Sequence, residues 1–149
     1  MELILWRHAD AEDAGAAGDL ARALTKRGRR QSERMGGWLR ERIGEEWLVL
    51  SSPARRAVQT AEGLGLPFEE RPALAPEASV AAVLREAQWP DGRRSVVVVG
   101  HQPTLGEVAA RLLGTREDIA FRKAAAWWFE ERGGRAALKC VMDPDRLET

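Results

Sequence analysis

Hydrophobic positions in this chain form two kinds of run, short continuous ones and longer ones spaced every three or four residues, and the two kinds alternate. Leu3-Ile4-Leu5-Trp6 and Val96-Val97-Val98-Val99 are uninterrupted, the pattern of strands buried on both faces within a parallel sheet. Trp47-Leu48-Val49-Leu50 is a third such run. Met35, Trp38, Leu39 and Ile43 recur at helical spacing, with Lys26, Arg29, Arg30, Glu33, Arg40 and Glu41 on the opposite face. Thr25 is placed to cap that helix and Gly44 to end it.

Ser52-Pro53 is a helix-start signal, Ser52 as cap and Pro53 at the first helical position, which predicts a helix over 54–64. A third helix is predicted over 79–87 with Val80, Val83 and Leu84 inward. A fourth runs from Pro103 to Leu113 with Leu105, Val108, Ala109 and Leu112 on its core face. The Pro-punctuated connection 66–76 has room for a brief edge strand. The runs 124–130 and 136–142 read as strands joined by Gly133-Gly134. Trp127 and Trp128 then point to opposite faces, and a covering helix is expected over the outer one. Residues 9–19 read as a surface loop, and 143–149 as a tail. Alternation of strand and helix predicts one α/β domain spanning 1–149. It is a three-layer sandwich with a mostly parallel central sheet, helices on both faces and an antiparallel edge.

Composition narrows the function. Lys plus Arg number 23 and Asp plus Glu number 23, so there is no net charge to attract nucleic acid or a membrane surface, and any positive potential must be local. The single cysteine, Cys140, excludes an intramolecular disulfide; in the alternating run Leu138, Cys140, Met142 it reads as a small buried hydrophobe. No apolar stretch approaches the roughly 20 residues of a membrane span, and Met1-Glu2 leads straight into the first strand, so a cytoplasmic location is expected. Neither a Gly-x-Gly-x-x-Gly after the first strand nor a Gly-Lys-Ser/Thr loop is present, which removes the dinucleotide and P-loop readings.

Chemistry concentrates at strand ends. The first strand stops at Arg7-His8 and the Val96–Val99 strand at Gly100-His101, and these are the only two histidines. Ligands of open α/β sheets bind at the carboxyl ends of the strands, so both imidazoles should emerge at one edge. A lone histidine in such a turn is ordinarily a hydrogen-bonded structural residue; two of two at strand ends point instead to a site. Arg55 and Arg56 stand in the first turn of the second helix, where the helix dipole disfavours a cation by about 0.3–1 kcal/mol, so an anion should compensate one of them. Arg7, His8, Arg56 and His101 around one point make a cationic pocket with an imidazole nucleophile, suited to a phosphoryl group. Two histidines and a distant cysteine lack the spacing of zinc ligands, so neither metal nor cofactor is expected.

Four stretches resemble the histidine phosphatase superfamily, with its phosphoglycerate mutase-like fold, and within it the small SixA-type phosphohistidine phosphatase branch. They are Leu5-Trp6-Arg7-His8-Ala9-Asp10-Ala11, Leu24-Thr25-Lys26-Arg27-Gly28-Arg29-Arg30-Gln31, Ser52-Pro53-Ala54-Arg55-Arg56-Ala57-Val58-Gln59-Thr60-Ala61 and Val99-Gly100-His101-Gln102-Pro103, in family order. The resemblance implies that His8 becomes phosphorylated and that Arg7, Arg56 and His101 complete the phosphate pocket, with Arg55 left at the rim. It implies a phosphatase whose substrate is phosphohistidine in a protein. A small-molecule phosphomonoesterase, a mutase and a non-catalytic phosphate- or phosphoprotein-binding module are the competing readings.

Departures from the family pattern bear on the chemistry. Ala9 replaces the usual glycine after the nucleophile, and Ala11 stands where mutase-like members carry a phosphate-binding serine. The insertion that supplies the mutases' acid is missing, which disfavours the mutase and leaves Asp10, Glu77 or no residue as proton donor. Without a lid insertion the pocket is expected to be shallow and open, and catalysis to combine a neutral His8 with a cationic His101.

Overall fold

A computed structural model describes residues 1–147. Six strands, β1 (Glu2–Arg7), β2 (Leu48–Ser51), β3 (Glu69–Glu70), β4 (Val96–Gly100), β5 (Ala126–Arg132) and β6 (Arg135–Met142), form one sheet in the order β3-β2-β4-β1-β5-β6. The first four are parallel; β5 and β6 run antiparallel and close one side. The expected sandwich is therefore observed, including its antiparallel edge.

Continuous apolar runs form the middle of the sheet because both faces there are covered. Leu3, Ile4, Leu5 and Trp6 are all 0% exposed. Ile4 and Trp6 pack with Met35 and Leu39 of α1 (Lys26–Arg40) and with Ala57 and Ala61 of α2 (Arg55–Glu62). Leu3 and Leu5 pack on the other face with Val83 of α3 (Val80–Ala87) and with Leu105 and Val108 of α4 (Thr104–Leu113). Burial of such side chains stabilises the fold by roughly 1.5–3 kcal/mol each. The parallel register sets Arg7 opposite Gly100, so the residues that follow, His8 and His101, leave the sheet side by side.

Helix ends differ from the sequence reading for local reasons. Thr25 caps α1 through the Gly28 amide as expected, but the helix stops at Arg40, where the Arg42 amide turns to the Leu39 carbonyl in a tighter turn. Ile43 stays buried beyond the helix. Ser52 is not the cap of α2: its amide still bonds the Val99 carbonyl of β4, so the chain is strand-paired at that point and the helix starts at Arg55. The edge strand within 66–76 shrinks to β3 and a 3-10 turn at Pro72–Leu74.

Trp128 is hidden by Trp38 of α1 and by Trp47, edge-on at 6.2 and 5.6 Å, while Trp127 stacks on Phe121 across the sheet. The alternation expected of β6 breaks at a bulge: Trp128 pairs with Cys140 and Phe129 with Leu138, leaving Lys139 between them. Leu138 is consequently 42% exposed, and Cys140 is half-buried against the core instead of fully inside it. The expected tail is docked as far as it is described. Asp143, buried, caps a 3-10 turn at Pro144–Arg146, and Arg34 donates to the Leu147 carbonyl at 2.7 Å; residues 148–149 of the expected tail lie outside the described residues.

Contact between α1 and α2 is close enough to give a test with opposite signs at adjacent positions. A Cβ on Gly36 would lie 2.0 Å from the Gly63 carbonyl oxygen, whereas one on Gly37 meets nothing within 4 Å. Gly36→Ala should destabilise by about 1–3 kcal/mol, and Gly37→Ala should stabilise by about 0.5–1 kcal/mol. Denaturant unfolding of the two variants checks both signs.

Candidate active site

The predicted convergence is observed: the His8 and His101 rings lie 5.2 Å apart, centroid to centroid. His8 follows the last residue of β1, and its backbone is fixed on both sides, its amide donating to the Gly100 carbonyl and its carbonyl accepting from the Ala124 amide. Arg7 turns to the Phe121 carbonyl through Nη1 at 2.7 Å. Arg56, in the first turn of α2, is only 4% exposed, whereas Arg55 beside it lies at the surface. The structure thus separates the two arginines as the family register implies.

His8 Nδ1 is 2.7 Å from the Ala9 carbonyl oxygen. A carbonyl only accepts, so Nδ1 carries the proton and the lone pair is on Nε2. Burial pushes the His8 pKa down to about 4; the Ala9 carbonyl opposes the shift, and Arg56, Arg7 and Arg22 add to it. The ring is neutral near pH 7. His101 is pushed down to about 3, by burial first and then by His8 and Arg56, with Asp19 acting the other way. His101 is therefore neutral in the free pocket, where burial and the positive groups around it disfavour a further charge; the expected cationic His101 concerns the pocket with a phosphoryl group in it.

Among the described residues, the buried side-chain nitrogens without a hydrogen-bond partner are Arg7 Nε, Arg56 Nε and His101 Nδ1. Buried polar groups are otherwise almost always paired, so three orphans in three residues of one cluster mark a site for an acceptor-rich group. A phosphoryl group has that chemistry. No group of three or more His, Cys, Asp or Glu able to hold a metal ion occurs among the described residues.

Four polar residues of the resembling stretches have structural work here that sequence reading did not assign. Thr60 Oγ accepts from the Ala9 amide and donates to the Arg56 carbonyl, tying the residue after His8 to the arginine helix. Gln31 accepts from the Asp10 amide, Gln59 accepts from the Leu24 amide, and Thr25 bonds Asp10 through both backbone and side chain. Gly28 is needed at its place, because a Cβ there would sit 2.0 Å from the Asp10 carbonyl oxygen. Two further residues were missed. Ser52, read as a helix cap, bridges His101 Nε2 (2.7 Å) and the Ala54 amide (3.1 Å). Asp19, read as loop, is the anion that accompanies Arg56, at 3.2 Å from its Nη2.

Asp10 is unsuited as proton donor. Lys123 Nζ lies 2.6 Å from one carboxylate oxygen and Thr25 Oγ 2.7 Å from the other, and these bonds, Lys123's first, hold the pKa below the usual carboxylate value. Glu77 is exposed in the segment before α3, with φ of 72°. His8 is 8% and His101 4% exposed, and the turn at Asp19–Ala21 packs over Arg56.

Fold and site together define an α/β protein with two histidines and two arginines gathered at the carboxyl edge of its parallel strands. The chain belongs to the histidine phosphatase superfamily (branch 1), whose family model matches residues 3–79. It is 36% identical to the phosphohistidine phosphatase SixA of Escherichia coli K12 over 99% of this chain and 97% of that protein. It is 30% identical to a SixA homolog of Haemophilus influenzae over 83% of this chain and 84% of the relative. The solved structure of the protein histidine phosphatase SixA complexed with tungstate superposes with a TM-score of 0.86 at 32% identity, covering 99% of this chain and all of that one. No helix among the described residues is long and apolar enough to cross a membrane.

Depressed histidine pKa values link the site to stability. Unfolded histidines bind protons near pH 6.5, but the folded ones stay neutral to about pH 4 and about pH 3. Between those limits the unfolded state binds more protons, so stability should be full above pH 6.5 and fall as pH drops toward 4. The double variant His8→Asn/His101→Asn should flatten that slope, as read by denaturant unfolding across the pH range.

Proposed function

We propose that this protein is a phosphohistidine phosphatase that works through a phosphorylated His8, with Arg7, Arg56 and His101 holding the transferring phosphoryl group. The observation that carries this reading is the tautomer of His8: with Nδ1–H committed to the Ala9 carbonyl, a neutral ring keeps its lone pair on Nε2. Membership in the superfamily and 36% identity to a phosphohistidine phosphatase over nearly the whole chain support the same substrate class.

The reaction then runs in two displacements. Nε2 of His8 attacks phosphorus while the P–N bond to the substrate imidazole breaks; that ring, protonated beforehand by solvent on its other nitrogen, keeps the electron pair and leaves as neutral imidazole. Water next attacks the phosphorus of phospho-His8, the P–N bond breaks back to Nε2, and inorganic phosphate leaves. Throughout, Arg7 and Arg56 balance the negative charge on the equatorial oxygens, and His101 Nδ1 donates to one of them. A phosphoryl dianion beside His101 Nδ1 raises that ring's affinity for a proton, so a His101 that is neutral in the free pocket gains charge when it is most useful, while His8 keeps its Nε2 lone pair for attack. The partner is a phosphorylated protein, because an imidazole leaving group is protonated more readily than an alkoxide and so has less need of a dedicated acid. A soluble cytoplasmic setting and action without a metal ion belong to the same reading.

Two experiments test it. His8→Ala should abolish turnover of phosphohistidine protein and of an aryl phosphate while unfolding like the wild type. A rapid quench of wild type with labelled substrate should trap acid-labile, alkali-stable phosphate on His8; trapping on a hydroxyl would refute the mechanism. A small phosphoester hydrolysed far faster than phosphohistidine protein would move the substrate to the phosphomonoesterase class. Arg56→Ala should lower turnover by about 10²–10³. Arg55→Ala should stay within about twofold of wild type, as a surface substitution does.

A further inference from the structure

Arg56 is gripped from one end. Its Nη1 donates to the main-chain carbonyl of Asp19 at 2.9 Å and its Nη2 to Asp19 Oδ2 at 3.2 Å, so a single residue engages both terminal nitrogens of the guanidinium. Asp19 Oδ1 in turn accepts from Arg22 Nη1 at 3.2 Å, and Arg22 Nε donates to the Glu12 carbonyl at 2.6 Å. Asp19 sits in a 3-10 turn outside the core, with its side chain half exposed, whereas Arg56 is buried.

A guanidinium offers five N–H donors along its edges. With Nη1 and Nη2 both turned toward Asp19, the side that keeps an unpartnered donor is the one containing Nε. That side is also a fork able to meet two phosphoryl oxygens. An arginine without this grip could swivel about its long side chain and present either edge, and it would have to be ordered afresh at each turnover.

We propose that Asp19 is a positioning residue for the phosphoryl transfer, fixing the Arg56 guanidinium end-on so that its Nε edge faces the reacting group. This rests on the phosphatase reading and deepens it: Asp19 touches no substrate and acts through Arg56. The opposite role is equally definite in its consequences. If Asp19 were instead an internal competitor, a carboxylate occupying the place of the substrate's phosphate, its removal would free Arg56 and tighten anion binding. The carboxylate stays ionised in either case, since the Arg22 hydrogen bond holds its pKa below the ordinary value.

Four proteins decide between them: wild type, Asp19→Ala, Arg56→Ala and the double variant. Each is measured for aryl phosphate turnover, for tungstate affinity by calorimetry and for thermal unfolding. Asp19→Ala should stay folded at the assay temperature, with a lower unfolding temperature because buried Arg56 loses its anion, lose about tenfold in kcat with a smaller change in KM, and bind tungstate about threefold or more weakly. In the Arg56→Ala background the same substitution should change neither quantity further, because the group it positions is gone. Wild-type kcat in Asp19→Ala, tighter tungstate binding, or an equal loss in both backgrounds would overturn the proposal. Should wild type turn over no phosphorylated substrate, the phosphatase reading fails on its own, and the tungstate affinities across the four proteins still decide the role of Asp19.

Discussion

Two guanidinium groups and two imidazoles at one end of a sheet, three of the four almost fully buried, are the constraint around which the rest of this molecule is arranged. Taking a charge out of water costs several kcal/mol unless it is paired, so the chain cannot leave all four groups cationic. It resolves the conflict by keeping both rings neutral and by supplying acceptors at fixed places: the Phe121 carbonyl for Arg7, and the Asp19 carbonyl and carboxylate for Arg56. Among the described residues, what stays buried without a partner is one nitrogen on each of three residues of this cluster, a small set of groups whose natural complement is a tetrahedral anion. Function in this reading is the unfinished part of an otherwise complete hydrogen-bond inventory.

Holding such a cluster requires that the loop after β1 not move, and the polar residues of the family stretches serve that end. Asp10, two residues after His8, is bound through its amide to Gln31, through its carbonyl to Thr25 and through its carboxylate to Thr25 and Lys123. Leu24, at the far end of the same loop, is held by Gln59 of the arginine helix. The loop is thereby pinned at both ends to α1 and α2, and the turn carrying Asp19 is suspended between those anchors. A side chain that must be placed to a fraction of an ångström is thus supported by helices, although it is itself on a loop.

Sequence alone revealed the sheet and the pairing of the two histidines, and the family register singled out Arg56, which the fold buries, from Arg55, which it leaves exposed. Each rests on a pattern that survives folding: continuous apolar runs that need two covered faces, and a family register that counts residues. Asp19 was not visible in this way, because an acidic residue in an Ala- and Gly-rich loop has no periodicity; the only hint was that a cation in the first turn of α2 needs an anion. Ser52 was misread for a related reason. Ser-Pro before a helix is a capping signal, yet β2 pairing with β4 persists through Ser52 and frees its hydroxyl to meet His101. The docking of residues 143–147 and the bulge at Lys139 likewise depend on partners far along the chain.

The fate of Asp10 bears on the substrate. A proton donor must be able to hold a proton at working pH, and a carboxylate bonded to an ammonium and a hydroxyl is stabilised in its ionised form. An alkoxide is strongly basic, because its parent alcohol barely ionises at neutral pH, and as a leaving group it would suffer from the lack of such a donor. The nitrogen of an N-phosphorylated imidazole suffers little, since imidazole titrates close to neutrality and its ring can accept a proton from solvent before the P–N bond breaks. Locking Asp10 into the scaffold therefore costs a P–O hydrolase much and a P–N hydrolase little, and that asymmetry agrees with the substrate class carried by the SixA relatives.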